Sequence, residues 1–208
     1  MLSVIRIKMT VDFTGFLVQT DYQAKQTGFI QPYADSPMDH EQVGEEVYIS
    51  MVNKAEKYCW FMTPYLIITD EMSHALCLAA KRGVDVRIIT PGIPDKKMIY
   101  NITRSFYHGL VKHGVRIYEW TPGFCHAKMS VADDCMATCG TINLDYRSLY
   151  HHFENGCFMA DCQAVLDIRN DLAATMDECR EVTEQYSTGR SAYLRLGQLF
   201  MRLFAGLL

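Results

Sequence analysis

The chain has 208 residues, of which 49% are apolar and 21% charged, and a formal net charge of -4. That length buries a core without help from disulfides or metal, so one domain is expected, and the apolar fraction excludes a disordered chain. The acidic balance argues against a surface built around nucleic acid, while leaving room for a local basic pocket. The eight cysteines, at Cys59, Cys77, Cys125, Cys135, Cys139, Cys157, Cys162 and Cys179, mostly interrupt apolar runs, where a thiol behaves as a small hydrophobe. With no signal-peptide layout, they are read as reduced and intracellular. Cys135 and Cys139, like Cys157 and Cys162, lack the spacing of a structural zinc site, so neither metal nor cofactor is expected. No apolar run reaches the ~18 residues of a membrane span, which confines any expected membrane contact to the periphery.

Residues 1–27 have weak periodicity and receive no assignment. Residues 28–37, "GFIQPYADSP", hold two prolines and several turn formers and are expected to form a loop. A helix is expected from Glu41, with Val47, Met51, Val52 and Ala55 on one stripe, followed by a buried strand in "YCWFMTPYLII" that ends at Pro64. Asp70 offers an N-cap for the next helix and Gly83 a stop. "VDVRIIT" alternates and is β-branched, as a strand should be; a helix over about 95–113 stops at Gly114, and "VRIYEW" is the next strand. Strands and helices alternating at this spacing predict crossover units and an α/β fold with a mixed, mostly parallel sheet flanked by helices. After Gly123, "HAKMSVAD", "CMATCGTI" and "NGCFMAD" read as consecutive strands, and a helix over about 162–182 closes the domain.

In "HAKMSVAD" the period of two sends His126, Lys128 and Ser130 to one face and Ala127, Met129 and Val131 to the other. A glycine-containing turn at Gly140 allows a hairpin to bring the Asn143 amide beside them. An imidazole able to attack phosphorus, with a cation and amide donors to hold nonbridging oxygens, is what a phosphodiester site needs. Taken alone, His-x-Lys is better read as two outward polar residues on a half-buried strand.

The extended pattern, His126-x-Lys128-x4-Asp133-x6-Gly140-Thr141-x-Asn143, resembles the HKD signature of the phospholipase D superfamily at every fixed position. Outside it, "GFIQPYADSP", "TPYLIITDEM", "AAKRGVDVRIITPGIPDKK", "GVRIYEWTPGFCHAKMSVADD" and "GTINLDYRSLYHHFENG" are similar to the carboxy-terminal half of bacterial cardiolipin synthases of the Gram-positive type, over roughly 28–208. The resemblance implies a phospholipase D-like domain over 28–188 with His126 as nucleophile or general acid, and with Lys128 and Asn143 on phosphate oxygens. It implies that Glu154 orients the histidine through its other ring nitrogen, and that Asp133 joins the site in a structural role at the strand end. Asp145 and Arg147 are expected to brace the loop as an internal pair. The implied reaction joins two phosphatidylglycerols into cardiolipin and glycerol through a phosphohistidine.

Departures from the family pattern set further expectations. The family uses two HKD copies and this chain has one, so the second is expected from a homodimer or from a separate chain, with a truncated half favoured. A homodimeric nuclease or phosphodiesterase and a non-catalytic gene remnant stand as alternatives. Membrane-spanning segments typical of the family are not found in the sequence, so a peripheral place at the cell membrane is expected, and otherwise a cytoplasmic one. Nothing in the sequence marks Cys125 as a reactive thiol, and His151 and His152, adjacent on a strand, would face opposite ways and chelate poorly. In the tail, 189–208, Leu196, Leu199, Phe200, Leu203 and Leu207 form an apolar stripe opposite Arg195, Gln198 and Arg202, a helix that either lies on anionic lipid or covers its own core.

Overall fold

The structure, a computed structural model, describes residues 12, 14–16, 21, 23–24 and 27–187, so the helix expected over 189–208 and most of the unassigned 1–27 lie outside the described residues. In chain order the elements are β1 (Phe29–Asp35), α1 (Val43–Lys54), β2 (Tyr58–Met62), β3 (Leu66–Ile67), α2 (Asp70–Lys81), β4 (Asp85–Pro91), α3 (Lys97–Val111), β5 (Arg116–Trp120) and β6 (Met129–Ala132). They continue with β7 (Met136–Gly140), β8 (Leu144–Asp145), α4 (Tyr146–Tyr150), β9 (Glu154–Ala160), α5 (Gln163–Asp177), β10 (Cys179–Glu181) and α6 (Thr183–Ser187).

Eight strands form one mixed sheet in the order β1-β9-β7-β6-β2-β4-β5-β10, and β3 pairs with β8 beside it. The α/β class stands, but the expected parallel majority does not. Only β2 with β4 and β4 with β5 are parallel in the large sheet. The remaining pairings are antiparallel. The reason is connection length: α2 and α3 supply the long crossovers a parallel pair needs, whereas β6 and β7 are joined by three residues, which only a hairpin allows. A second difference lies at the edge. Residues expected as a loop form β1, and Pro32 is accommodated because, among the described residues, β1 pairs on one side only, with β9.

The helix stops behave as read, with Gly83 and Gly114 at φ 96° and 100°, where a side chain would be strained. The cap of α2 shifts by one residue: the Thr69 hydroxyl accepts from Met72 N at 3.0 Å, leaving Asp70 and Glu71 in the first turn to oppose the helix dipole. Alternation along β4 divides the core. Ile88 faces α1, α2 and α3 with Val52, Leu76 and Ile102, while Ile89 faces α5 with Val131, Val165 and Leu172. The helix expected over about 162–182 ends at Asp177 as α5, because the chain then turns back to pair β10 with β5. That turn places Arg180 on the fully buried Glu119 at 2.7 Å, and Arg104 reaches the same carboxylate with two nitrogens at 2.8 Å. Two guanidinium groups compensate a charge that would otherwise be costly to bury.

The β6–β7 hairpin turns through Asp133 and Asp134, at φ 52° and 60°, a left-handed pair that short polar side chains tolerate in tight hairpins. The Asp133 carboxylate then accepts the backbone N–H groups of Glu56, Lys57 and Tyr58 at 2.7, 2.9 and 2.8 Å, tying the hairpin to the entry of β2. Burial works against its charge, but the three N–H donors outweigh burial and hold the carboxyl below the usual range. Asp133→Asn should therefore lower the unfolding free energy by about 2 kcal/mol at neutral pH, since a carboxamide presents a single acceptor atom. Because the folded-state pKa is depressed, this stability is present above the unfolded pKa and disappears as pH falls through the folded one. Urea denaturation of wild type and variant should show curves that converge in acid; a gap independent of pH would refute the charge-based role.

Candidate active site

The site lies where the carboxy-terminal ends of β2 and β4 meet the start of β6, with Met62 paired to both Ile89 and Met129. The ladder of β6 begins at Met129, three residues later than the expected strand, so His126 and Lys128 sit on its lead-in. The segment is nonetheless anchored: Gly140 N donates to Lys128 O at 3.3 Å. A Cβ on Gly140 would lie 2.4 Å from Asn155 O, so only glycine lets β9 approach closely enough to bring Glu154 alongside.

The period of two survives outside the ladder. Lys128 Nζ lies 2.9 Å from His126 Nδ1 and donates to His126 O at 2.6 Å. An ammonium has no lone pair, so Nδ1 is the acceptor and the proton of the neutral imidazole resides on Nε2. Burial, and then the Lys128 charge, press the His126 pKa below its ordinary value, while Asp95 pulls the other way. The imidazole is thereby held neutral near pH 7. Lys128 itself is buried, which lowers its pKa, and the carboxylates of Glu154 and Asp145 resist that fall. Ser130, the third residue of the predicted face, is fully buried and bonded to Thr138 Oγ1 at 2.6 Å, a packing role.

Asn143 Nδ2 donates to Ser148 Oγ at 2.9 Å and to Asp145 Oδ2 at 3.3 Å, and its buried Oδ1 has no hydrogen-bond partner among the described residues. Asp145 caps α4 by accepting from Ser148 N at 2.7 Å. Burial raises the Asp145 pKa against these hydrogen bonds. The expected Asp145–Arg147 pair is not formed: as a cap, Asp145 turns inward onto its helix, and Arg147 instead donates through Nε to His152 Nε2 at 2.8 Å. His152 Nδ1 then faces Glu154 Oε1 at 3.5 Å, and the Thr141 hydroxyl donates to the other Glu154 oxygen. Glu154 accordingly acts on the charge of Lys128, and the ring nitrogen of His126 expected to meet it faces Lys128. Asp133 stays at the far end of β6, in the hairpin clamp.

Three side chains not singled out from the sequence surround His126. The Tyr65 ring stands edge-on at 6.3 Å between centroids, Phe124 lies at 5.8 Å, and the Tyr65 hydroxyl donates to Asp95 at 2.6 Å. Each follows the carboxy-terminal end of one of the parallel strands β2, β4 and β5, the place where open α/β sheets bind ligands. Cys125 points the other way, with Sγ 4.0 Å from Met62 Sδ, and packs with the apolar cluster under α5. A cavity of about 350 Å³ beneath α1, lined by Tyr33, Val47, Met51 and Phe158 among others, contains none of the candidate residues. Among the described residues no helix is long and apolar enough to cross a membrane.

The family model described as "Cardiolipin synthase, PLD-like domain" matches residues 48–176. A Streptococcus mutans protein described as uncharacterized is 48% identical over 197 residues, which are 95% of this chain and 43% of that protein. A cardiolipin synthase of Halalkalibacterium halodurans is 32% identical over 184 residues, 88% of this chain and 37% of the relative. The chain thus spans less than half the length of these curated relatives. Among solved structures, the phosphatidylserine synthase of Haemophilus influenzae superposes with a TM-score of 0.66 at 16% identity, over 86% of this chain and 45% of that one. The phospholipase D family member Nuc of Salmonella typhimurium gives 0.63 at 16% identity, over 74% of this chain and 98% of Nuc, a likeness of fold alone. A family match across more than half of the chain, on a mixed sheet that sets His126 against Lys128, identifies the chain as a member of the cardiolipin synthase family of phospholipase D-like domains.

Proposed function

We propose that this chain supplies one half of a phosphatidyl-transfer site acting on phosphatidylglycerol, with His126 as its phosphorus nucleophile. The observation that carries the reading is the 2.9 Å contact of Lys128 Nζ with a His126 ring held neutral, within a domain of cardiolipin synthase type. A phosphate oxygen arriving at the site competes for the Lys128 ammonium. Once Lys128 turns to the phosphate, Nδ1 is free to carry the ring proton and the lone pair passes to Nε2. That nitrogen attacks phosphorus, a P–N bond forms, and the glycerol oxygen leaves with a proton from an acid on the opposite side. The hydroxyl of a second phosphatidylglycerol then gives its proton to that group, now a base, and displaces the histidine, yielding cardiolipin and restoring the imidazole and the acid. Asn143 donates to Asp145, whose charge also acts on Lys128, and is assigned to the same phosphate oxygens, once its amide leaves the α4 loop.

His126 cannot stand on both sides of phosphorus, so the leaving-group acid is assigned to a second half, either another copy or a separate chain carrying the amino-terminal portion of the relatives. Loss of general acid catalysis typically costs ~10² to 10⁴ in rate. Transfer measured on phosphatidylglycerol should fall steeply on dilution of the chain alone and recover when a separately expressed amino-terminal half is added. A monomer with full transfer activity would refute the two-half site, and cleavage of nucleic acid in place of lipid transfer would overturn the substrate.

In the assembled enzyme, His126→Ala should abolish transfer, whereas Cys125→Ala, whose thiol faces the core under α5, should keep most of it. Equal losses from the two would count against the assignment. The proton state is measurable without turnover: by NMR titration the His126 ring should ionise below the ~6.5 of a free imidazole, and Lys128→Met should move that midpoint upward by removing one of its two causes. A midpoint unmoved by Lys128→Met would separate the two groups electrostatically and remove the basis of the reading.

A further inference from the structure

Among the described residues eight large apolar side chains are left exposed, and five of them, Met38, Ile93, Met98, Phe124 and Phe153, lie on segments at the end of the sheet that holds His126. A soluble surface scatters such residues; gathered at one end, they mark a contact surface. Ile93 and Met98, 47% and 55% exposed, flank Lys96 and Lys97 between β4 and the first turn of α3, and Phe124 stands beside them on the loop after β5. The two loops share a small hollow lined by Pro94, Asp95, Tyr100 and Phe124.

The exposure is built in. Gly92 N donates to Trp120 O at 2.7 Å and the Tyr100 hydroxyl donates to Gly92 O at 2.9 Å, which fixes the start of the segment. Its one acid, Asp95, is exposed, but its carboxylate is tied to the Tyr65 hydroxyl and to Lys96 N, so the segment presents two lysines and apolar side chains against a single hydrogen-bonded acid. Neither Lys96 nor Lys97 makes an ion pair among the described residues. No acid lies in the first turn of α3, so the lysines sit where the helix dipole disfavours them, a charge kept against local helix stability.

We infer that segment 92–98, with Phe124 beside it, is the surface by which this site docks on an anionic phospholipid bilayer. Ile93 and Met98 enter the acyl boundary, and Lys96 and Lys97 meet headgroup phosphates. The inference rests on the phosphatidyl-transfer reading for its choice of partner. A second copy fits the segment less well, because two-fold pairing of the same patch sets its lysines against each other.

The test is flotation of the full chain with vesicles of phosphatidylglycerol or of phosphatidylcholine. Ile93→Ser combined with Met98→Ser should weaken partitioning onto phosphatidylglycerol vesicles about tenfold, from lost apolar burial. Lys96→Glu combined with Lys97→Glu should weaken it on phosphatidylglycerol and leave phosphatidylcholine unchanged. Residues 189–208 are present in every variant, so the difference reports on segment 92–98. Wild-type partitioning by both variants, or no binding by the wild type, overturns the inference. So does sedimentation showing that the variants dissociate a dimer while vesicle binding stays unchanged. Transfer on short-chain phosphatidylglycerol below its micelle concentration, with the second half supplied, offers no surface to bind and should proceed equally in wild type and variants. Loss of that reaction in all of them, with vesicle binding still dependent on the segment, would sink the transfer reading and leave the docking surface in place.

Discussion

An ammonium group removed from water must be surrounded by acceptors and negative charge, and the site is organised around that requirement at Lys128. Its Nζ is held by the carbonyl and the ring nitrogen of His126, within the field of Glu154 and Asp145. Each of these partners is fixed in turn. Asp145 caps α4 and accepts from Asn143, while Glu154 is bonded by Thr141 and backed by His152 and Arg147. A buried cation with many fixed partners is expensive to rearrange unless another anion takes their place. An arriving phosphate is such an anion, which links the electrostatic balance of the resting site to the class of substrate it can accept.

The backbone serves the same end. β6 carries Lys128 in from one side and the close approach of β9 at Gly140 brings Glu154 from the other. Asp133 keeps the β6–β7 hairpin attached to the start of β2, so the reactive segment is positioned by three strands. Conserving such geometry through backbone donors makes it insensitive to most surface substitutions and sensitive to a few polar ones.

Much of this was legible in the residues themselves. The period of two set His126 and Lys128 on one side, the turn at Gly140 returned the chain to them, and Gly83 and Gly114 ended their helices as read. What escaped was non-local. β1 looked like a loop because Pro32 speaks against an interior strand, and only the sheet order reveals an edge. The parallel majority failed because strand direction follows from connection length, which the late hairpins keep short. Tyr65, Asp95 and Phe124 meet at His126 from three separate loops, a neighbourhood created by topology and absent from any local spacing. The expected Asp145–Arg147 pair failed on direction, since two residues at a helix start point to different sides.

Pro32 has a consequence beyond tolerance. The register between β1 and β9 runs unbroken from Phe29 to Asp35, so the N–H that proline lacks is missing from the outer row of the strand, the side without a partner strand among the described residues. That outer row, with Phe29 and Ile30 exposed beside it, would otherwise offer a ready template for another chain to add a strand. A gap in the donors at Pro32 interrupts the template, so the same residue that hides the strand from sequence reading protects the folded protein against edge-to-edge aggregation.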